Sequence, residues 1–79
     1  MSTDRYNNFS YDEKNISQLI TRLREAKGLS KYQLGLKSGL DSSVIRRIET
    51  GERKPYVETL LKIIDGLGMS PDGFFNLLK

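Results

Sequence analysis

The chain has 79 residues, a formal net charge of +3, and neither cysteine nor histidine. Without thiols there are no disulfides or thiolate metal sites, and without imidazole the commonest general base and metal ligand are gone. An enzyme, a cofactor and a bound metal are therefore not expected, and no apolar run approaches the ~18 residues of a membrane span.

In chain order, residues 1–14 come first. They carry Arg5 and Lys14 against Asp4, Asp12 and Glu13, so this stretch is acidic by one charge. It is polar, with Tyr6, Phe9 and Tyr11 as its large apolar groups, and lacks a helical stripe. The expectation is a mobile arm, with residues 15–79 forming the folded domain. The N-terminus also lacks the apolar block of a signal peptide, which points to a cytoplasmic protein away from membranes.

Two capping patterns compete for the first helix, Ser10 with Glu13 and Asn15 with Gln18. Ile16, Leu19, Ile20 and Leu23 then recur at i, i+3, i+4 and i+7, one face of a helix running to Gly28. Ser30 with Gln33 makes a further capping-box pattern and opens a short helix from Lys31 to Ser38, stopped by Gly39. Asp41 is placed as the N-cap of a third helix, Ser42 to Thr50, with Gly51 at C′. After Pro55, the residues Val57, Leu60, Leu61, Ile64 and Leu67 stripe a fourth helix that Gly68 ends. Ser70 as N-cap and Pro71 at N1 start a fifth, carrying Phe74, Phe75 and Leu78. Strand alternation is not sustained anywhere. The expected class is all-α, a compact bundle of five short helices.

Charge follows this order. Residues 15–54 hold nine Lys/Arg against four Asp/Glu, a net +5, whereas residues 55–79 hold two against three. The basic excess sits in the middle of the chain, as a polyanion partner requires; a solvated charged face is the alternative.

The second and third helices have a distinctive spacing. Leu34 points inward, Gly35 is small enough for the next helix to cross closely, and Gly39 accepts the positive φ of a sharp turn. Ile45 and Ile48 pin the third helix. This is helix-turn-helix spacing. Around it, from about Ile16 to Phe75, stand "LREAKGLS", "LGLKSGL", "VIRRIETGERKP", "ETLLKI" and "LGMSPDGFF". In that order they resemble the lambda-repressor-like family, the Cro and phage-repressor type of DNA-binding domain.

The resemblance implies that the third helix is a recognition helix docked in the major groove of double-stranded DNA. At 100° per residue, Ile45 and Ile48 face one way while Ser43, Arg46, Arg47 and Thr50 face the other, with no acid among the latter. By position, Ser42, Ser43, Arg46 and Arg47 match the family's base readers. Lys31, Arg53 and Lys54 match its phosphate contacts, and Gln33 and Thr50 are candidate phosphate contacts beside them. The implied function is a sequence-specific transcriptional regulator, a repressor, acting on a palindromic operator.

There are departures from the family pattern. Gly35 replaces the usual alanine, at an expected cost of up to about 1 kcal/mol of helix stability. Ser42 is shorter than the glutamine or arginine of many members, and the acidic arm is not suited to wrapping DNA.

Three further expectations concern contacts. Glu49 is badly placed for the dipole near a helix C-terminus, and the family pattern pairs its position with that of Arg24; a partly buried ion pair is expected. Phe74, Phe75, Leu77 and Leu78 exceed what one core face needs, so the fifth helix is the candidate dimer interface. A homodimer is expected on DNA, with a weak dimer or a monomer free in solution. Tyr32 and Leu36 lie four apart, opposite Leu34. They support an alternative in which the domain is an antitoxin-like or coactivator-like module that binds a protein partner.

Overall fold

The computed structural model describes residues 13–78. Five helices follow one another: α1 (Glu13–Ala26), α2 (Lys31–Ser38), α3 (Ser42–Glu49), α4 (Val57–Gly66) and α5 (Pro71–Asn76). Among the described residues there is no strand, and no helix is long and apolar enough to cross a membrane.

The expected stripe of α1 is the one that packs. Ile16, Leu19 and Ile20 are buried, and Leu23 packs against the same cluster. Glu13 and Lys14 already belong to α1, so Asn15 lies within the helix and does not cap it. The other candidate cap, Ser10, lies outside the described residues, as do residues 1–12 of the expected arm.

Ser30 caps α2 through a complete capping box. Its hydroxyl accepts from the Gln33 N–H at 3.0 Å, and Gln33 Oε1 accepts from the Ser30 N–H at 2.8 Å. Two orphan donors are thereby satisfied at once. Gly39 then ends α2 with φ +70°, a conformation that costs a residue with a Cβ about 1 kcal/mol or more. Asp41 occupies the N-cap position of α3 with extended backbone but makes no side-chain capping hydrogen bond, so its contribution is positional only.

Gly35 has a steric reason that helix propensity alone does not supply. A Cβ built on it would lie 2.5 Å from the Leu40 carbonyl oxygen and 3.3 Å from the Ser42 nitrogen. The α2–α3 turn passes directly over this position.

The stripe of α4 differs from expectation. Leu60, Ile63, Ile64 and Leu67 are the buried set, whereas Val57 is 67% and Leu61 41% exposed. Both sets have helical spacing, and the choice between them is made by neighbours: α4 turns its Ile63 side toward the helices it packs on. The core thus contains Leu34, Ile45, Ile48 and Phe74 together with the α1 and α4 stripes. Phe74 meets Phe75 edge to face, with ring centroids 5.6 Å apart.

Candidate nucleic-acid interface

The α2–turn–α3 unit presents α3 on the surface. Ile45 and Ile48 are 0% exposed, while Ser42, Ser43, Arg46 and Arg47 are all exposed. One side of this two-turn helix is wholly committed to the core, so the other cannot rotate away from solvent. That geometry fixes which side chains are offered to a partner.

Three side-chain contacts hold α3 onto α1. The Ser17 hydroxyl, buried, donates to the Ile48 carbonyl at 2.7 Å, satisfying one of the last carbonyls of α3. Arg24 Nε donates to Glu49 Oε2 at 2.7 Å, and Arg24 Nη2 donates to Glu49 Oε1 at 3.0 Å. A further donor, Arg24 Nη1, meets the Leu29 carbonyl at 2.8 Å. The two side chains are only 11% and 5% exposed, so this is a bidentate pair sheltered from water. Its hydrogen bonds to Glu49 hold the Arg24 guanidinium above its usual pKa, against the opposing effect of burial.

Beyond α3 the chain turns at Gly51, where φ is +83°. The Arg53 N–H then donates to the Arg47 carbonyl at 3.1 Å, and the Thr50 hydroxyl donates to the same oxygen at 3.2 Å. The loop is thereby folded back against the end of the helix. Its Arg53 and Lys54 line a cleft of about 370 Å³ together with Gln18 and Thr50. Glu49 also lines this cleft, but its carboxylate is engaged by Arg24, and the two cations beside small polar groups suit a phosphate oxygen. Because the Thr50 hydroxyl already donates inward, it offers a phosphate a hydrogen only by exchanging that bond.

At the start of α2, Lys31 and Gln33 are exposed. The capping box uses the amide oxygen of Gln33 and not its NH₂. Tyr32 and Leu36 are each 65% exposed, on the side of α2 away from Leu34.

The structure adds one residue that helical periodicity could not reveal. Glu52 reaches back from the loop, and its Oε1 accepts from Arg46 Nη1 at 3.3 Å. The exposed side of α3 is free of acid only when the helix is considered alone. A turn at Gly51 followed one residue later by glutamate is the signal in the sequence, legible once the loop is known to reverse.

Of the four residues expected at a dimer interface, Phe74 is fully buried and completes the core. Phe75 and Leu78 are partly buried against it, and Leu77 is 52% exposed. Further exposed apolar side chains are Tyr56, just before α4, and Val57 and Leu61 in its first turns.

A family model described as helix-turn-helix matches residues 20–74. An uncharacterized HTH-type transcriptional regulator of Haemophilus influenzae is 45% identical over 53 residues, which are 67% of this chain and 53% of that protein. Another such regulator, from Sinorhizobium fredii, is 33% identical over 57 residues, 72% of this chain and 74% of the relative. The chain thus spans about half the length of the first relative. Among solved structures, the wild-type restriction-modification controller protein C.Esp1396I superposes with a TM-score of 0.82 at 33% identity, covering 87% of this chain and 90% of that one. The same controller as a tetramer on its natural 35-base-pair operator gives 0.83 at 33% identity, covering 87% and 91%.

Proposed function

Since the chain belongs to the helix-turn-helix family of Cro/C1 type, we propose that it is a sequence-specific regulator of transcription that reads double-stranded DNA through α3. The observation that carries this reading is the division of α3 into a buried Ile45–Ile48 side and an exposed Ser42, Ser43, Arg46 and Arg47 side. In the major groove an arginine can donate two hydrogen bonds to guanine O6 and N7, and serine can bond either base type. Lys31, Gln33, Arg53 and Lys54 flank that side at both ends, where phosphates set register and affinity. A domain seated on duplex DNA excludes other proteins, so repression is the simplest output.

The controller protein C.Esp1396I occupies its operator as a tetramer. For this chain the reading is two copies on a two-fold site, because one short helix distinguishes too few base pairs among the ~10⁶ or more competing sites of a genome. Half-sites then lie about 34 Å apart. The exposed Val57 and Leu61, one turn apart on α4, with Tyr56 and Leu77, supply apolar surface for that contact. Free in solution, so small a patch supports a weak dimer or a monomer.

Exposure of Tyr32 and Leu36 favours a second reading, in which α2 docks a protein partner. An electrophoretic shift against random duplex DNA at several salt concentrations separates the two. DNA binding that weakens steeply with salt is expected of the regulator. Absence of any salt-sensitive binding would leave the interaction module as the better account.

A further inference from the structure

The residue that the DNA-binding reading leaves unexplained is Glu52. Between Ser42 and Pro55 there are two carboxylates, Glu49 and Glu52. Glu49 is sheltered at 5% exposure against Arg24. Glu52 is therefore the only exposed acid in a stretch that presents Arg46, Arg47, Arg53 and Lys54. A carboxylate among phosphate-seeking cations is unfavourable for binding DNA in general, so its place beside a base-reading arginine calls for a function.

We propose that Glu52 is a specificity-determining residue that works through Arg46, holding the arginine's charge back from phosphates while leaving its donors available to a guanine. The contact is a single one, Nη1 to Oε1 at 3.3 Å, and the two side chains are 47% and 56% exposed. A guanidinium has five N–H donors. One hydrogen bond to Glu52 leaves the two that a guanine edge requires. With its charge compensated, Arg46 adds little to sequence-independent attraction, since that attraction grows with the number of phosphates neutralised. For Arg46 to sit on a phosphate, the pair must separate, or Glu52 must be carried toward the backbone with it, and like charges at a few ångströms repel. A guanine in the groove imposes neither condition. The pair is also weak enough to rearrange, because exposed ion pairs contribute little to folding.

This rests on the reading of α3 as the DNA-binding element, and the test separates the two. A duplex recovered from a random library by the wild-type chain is compared with a scrambled duplex of the same composition, at several salt concentrations. Glu52→Gln removes the charge, keeps the size, and lies on the surface, so the thermal midpoint should not move. The expected result is tighter binding of the scrambled duplex, about three- to ten-fold, a salt slope steeper there by about one, and a smaller gain on the selected duplex. The ratio of specific to non-specific affinity therefore falls. In an Arg46→Ala background, Glu52→Gln should leave that ratio unchanged. If the ratio is unchanged in the wild-type background, the inference is wrong although the DNA-binding reading stands. If binding of the selected duplex drops while the scrambled one is unaffected, Glu52 contacts a base or orients Arg46, and the inference is equally overturned. An effect of full size without Arg46 refutes the route through that arginine. A wild-type chain that does not distinguish the duplexes at all defeats the parent reading itself.

Discussion

Arg47 and Arg53 are six residues apart and joined through one backbone hydrogen bond, yet their side chains have different surroundings. Arg47 projects from the exposed side of α3, whereas Arg53 lines the cleft beyond Gly51. Arg47→Ala is expected to relax base preference at one or two positions by about 1–3 kcal/mol each, leaving scrambled-duplex binding nearly intact. Arg53→Ala or Lys54→Ala should instead weaken both duplexes alike and reduce the salt slope by about one. Affinity against salt for each variant decides it; altered base preference in the loop variants alone would reverse the assignment. At Gly35 the expected sign of a substitution changes once the structure is known. Helix propensity by itself favours alanine by up to about 1 kcal/mol, but the added Cβ would press on the Leu40 carbonyl, which is backbone and cannot rotate aside. Gly35→Ala should therefore destabilise by about 1–3 kcal/mol in a denaturant titration, and a stabilised variant would contradict the close crossing. Helical periodicity tells which face a residue takes, and the exposed placement of Arg46 and Arg47 was legible from it. It does not carry information across a reversing loop, which is why Glu52 could not be found from it.

Helix α3 has only two turns, and isolated helices of that length are marginal in water, so its orientation depends on what it is fastened to. Ser17 and Arg24, one helix away, provide the fastening through the Ile48 carbonyl and the Glu49 carboxylate. Removing either partner of the ion pair leaves a sheltered charge alone. Arg24→Ala or Glu49→Ala should each cost about 3 kcal/mol or more, measured by thermal or denaturant unfolding. The double replacement Arg24→Ala with Glu49→Ala should cost less than the sum of the single losses, because no charge is then stranded. Strictly additive losses would show that the two side chains do not act as a pair. This contact was legible because Glu49 is unfavourable at a helix C-terminus and so needed a partner, and the family resemblance supplied Arg24 as that partner. The α4 stripe was less legible. The expected set Val57, Leu60, Leu61, Ile64 and Leu67 obeys helical spacing as well as Leu60, Ile63, Ile64 and Leu67 do, and only the neighbouring helices select the second set. Caps were readable where a side chain closes the bond, as at Ser30 and Ser70, each accepting from an N–H three residues on. Asp41 has the right position without that bond, and Asn15 fails because α1 starts before it.

Among the described residues, eleven buried hydrophobic side chains drawn from all five helices form the core, and besides Leu77 the exposed apolar side chains fall in two places. One is the start of α4, with Val57 and Leu61; the other is the outer side of α2, with Tyr32 and Leu36. The first is proposed to meet a second copy on DNA. Leu61→Asp, which places a charge in that contact at an already exposed position, should leave folding intact and weaken binding to a two-fold duplex about ten-fold or more, while a single half-site is bound as before. Equal loss on both duplexes would show that α4 acts through the stability of the domain. Sedimentation of the wild-type chain with the two-fold duplex should give two copies per site at saturation, and one copy would remove the dimer from the account. Above all stands the claim that this fold reads DNA sequence, and selection of bound duplexes from a random library tests it most directly. The expected result is enrichment of one inverted repeat, its half-sites centred about 34 Å apart, with guanine at positions that become tolerant of other bases in Arg47→Ala. Recovery of unenriched, random sequence at a salt concentration where wild-type binding is still measurable would contradict it.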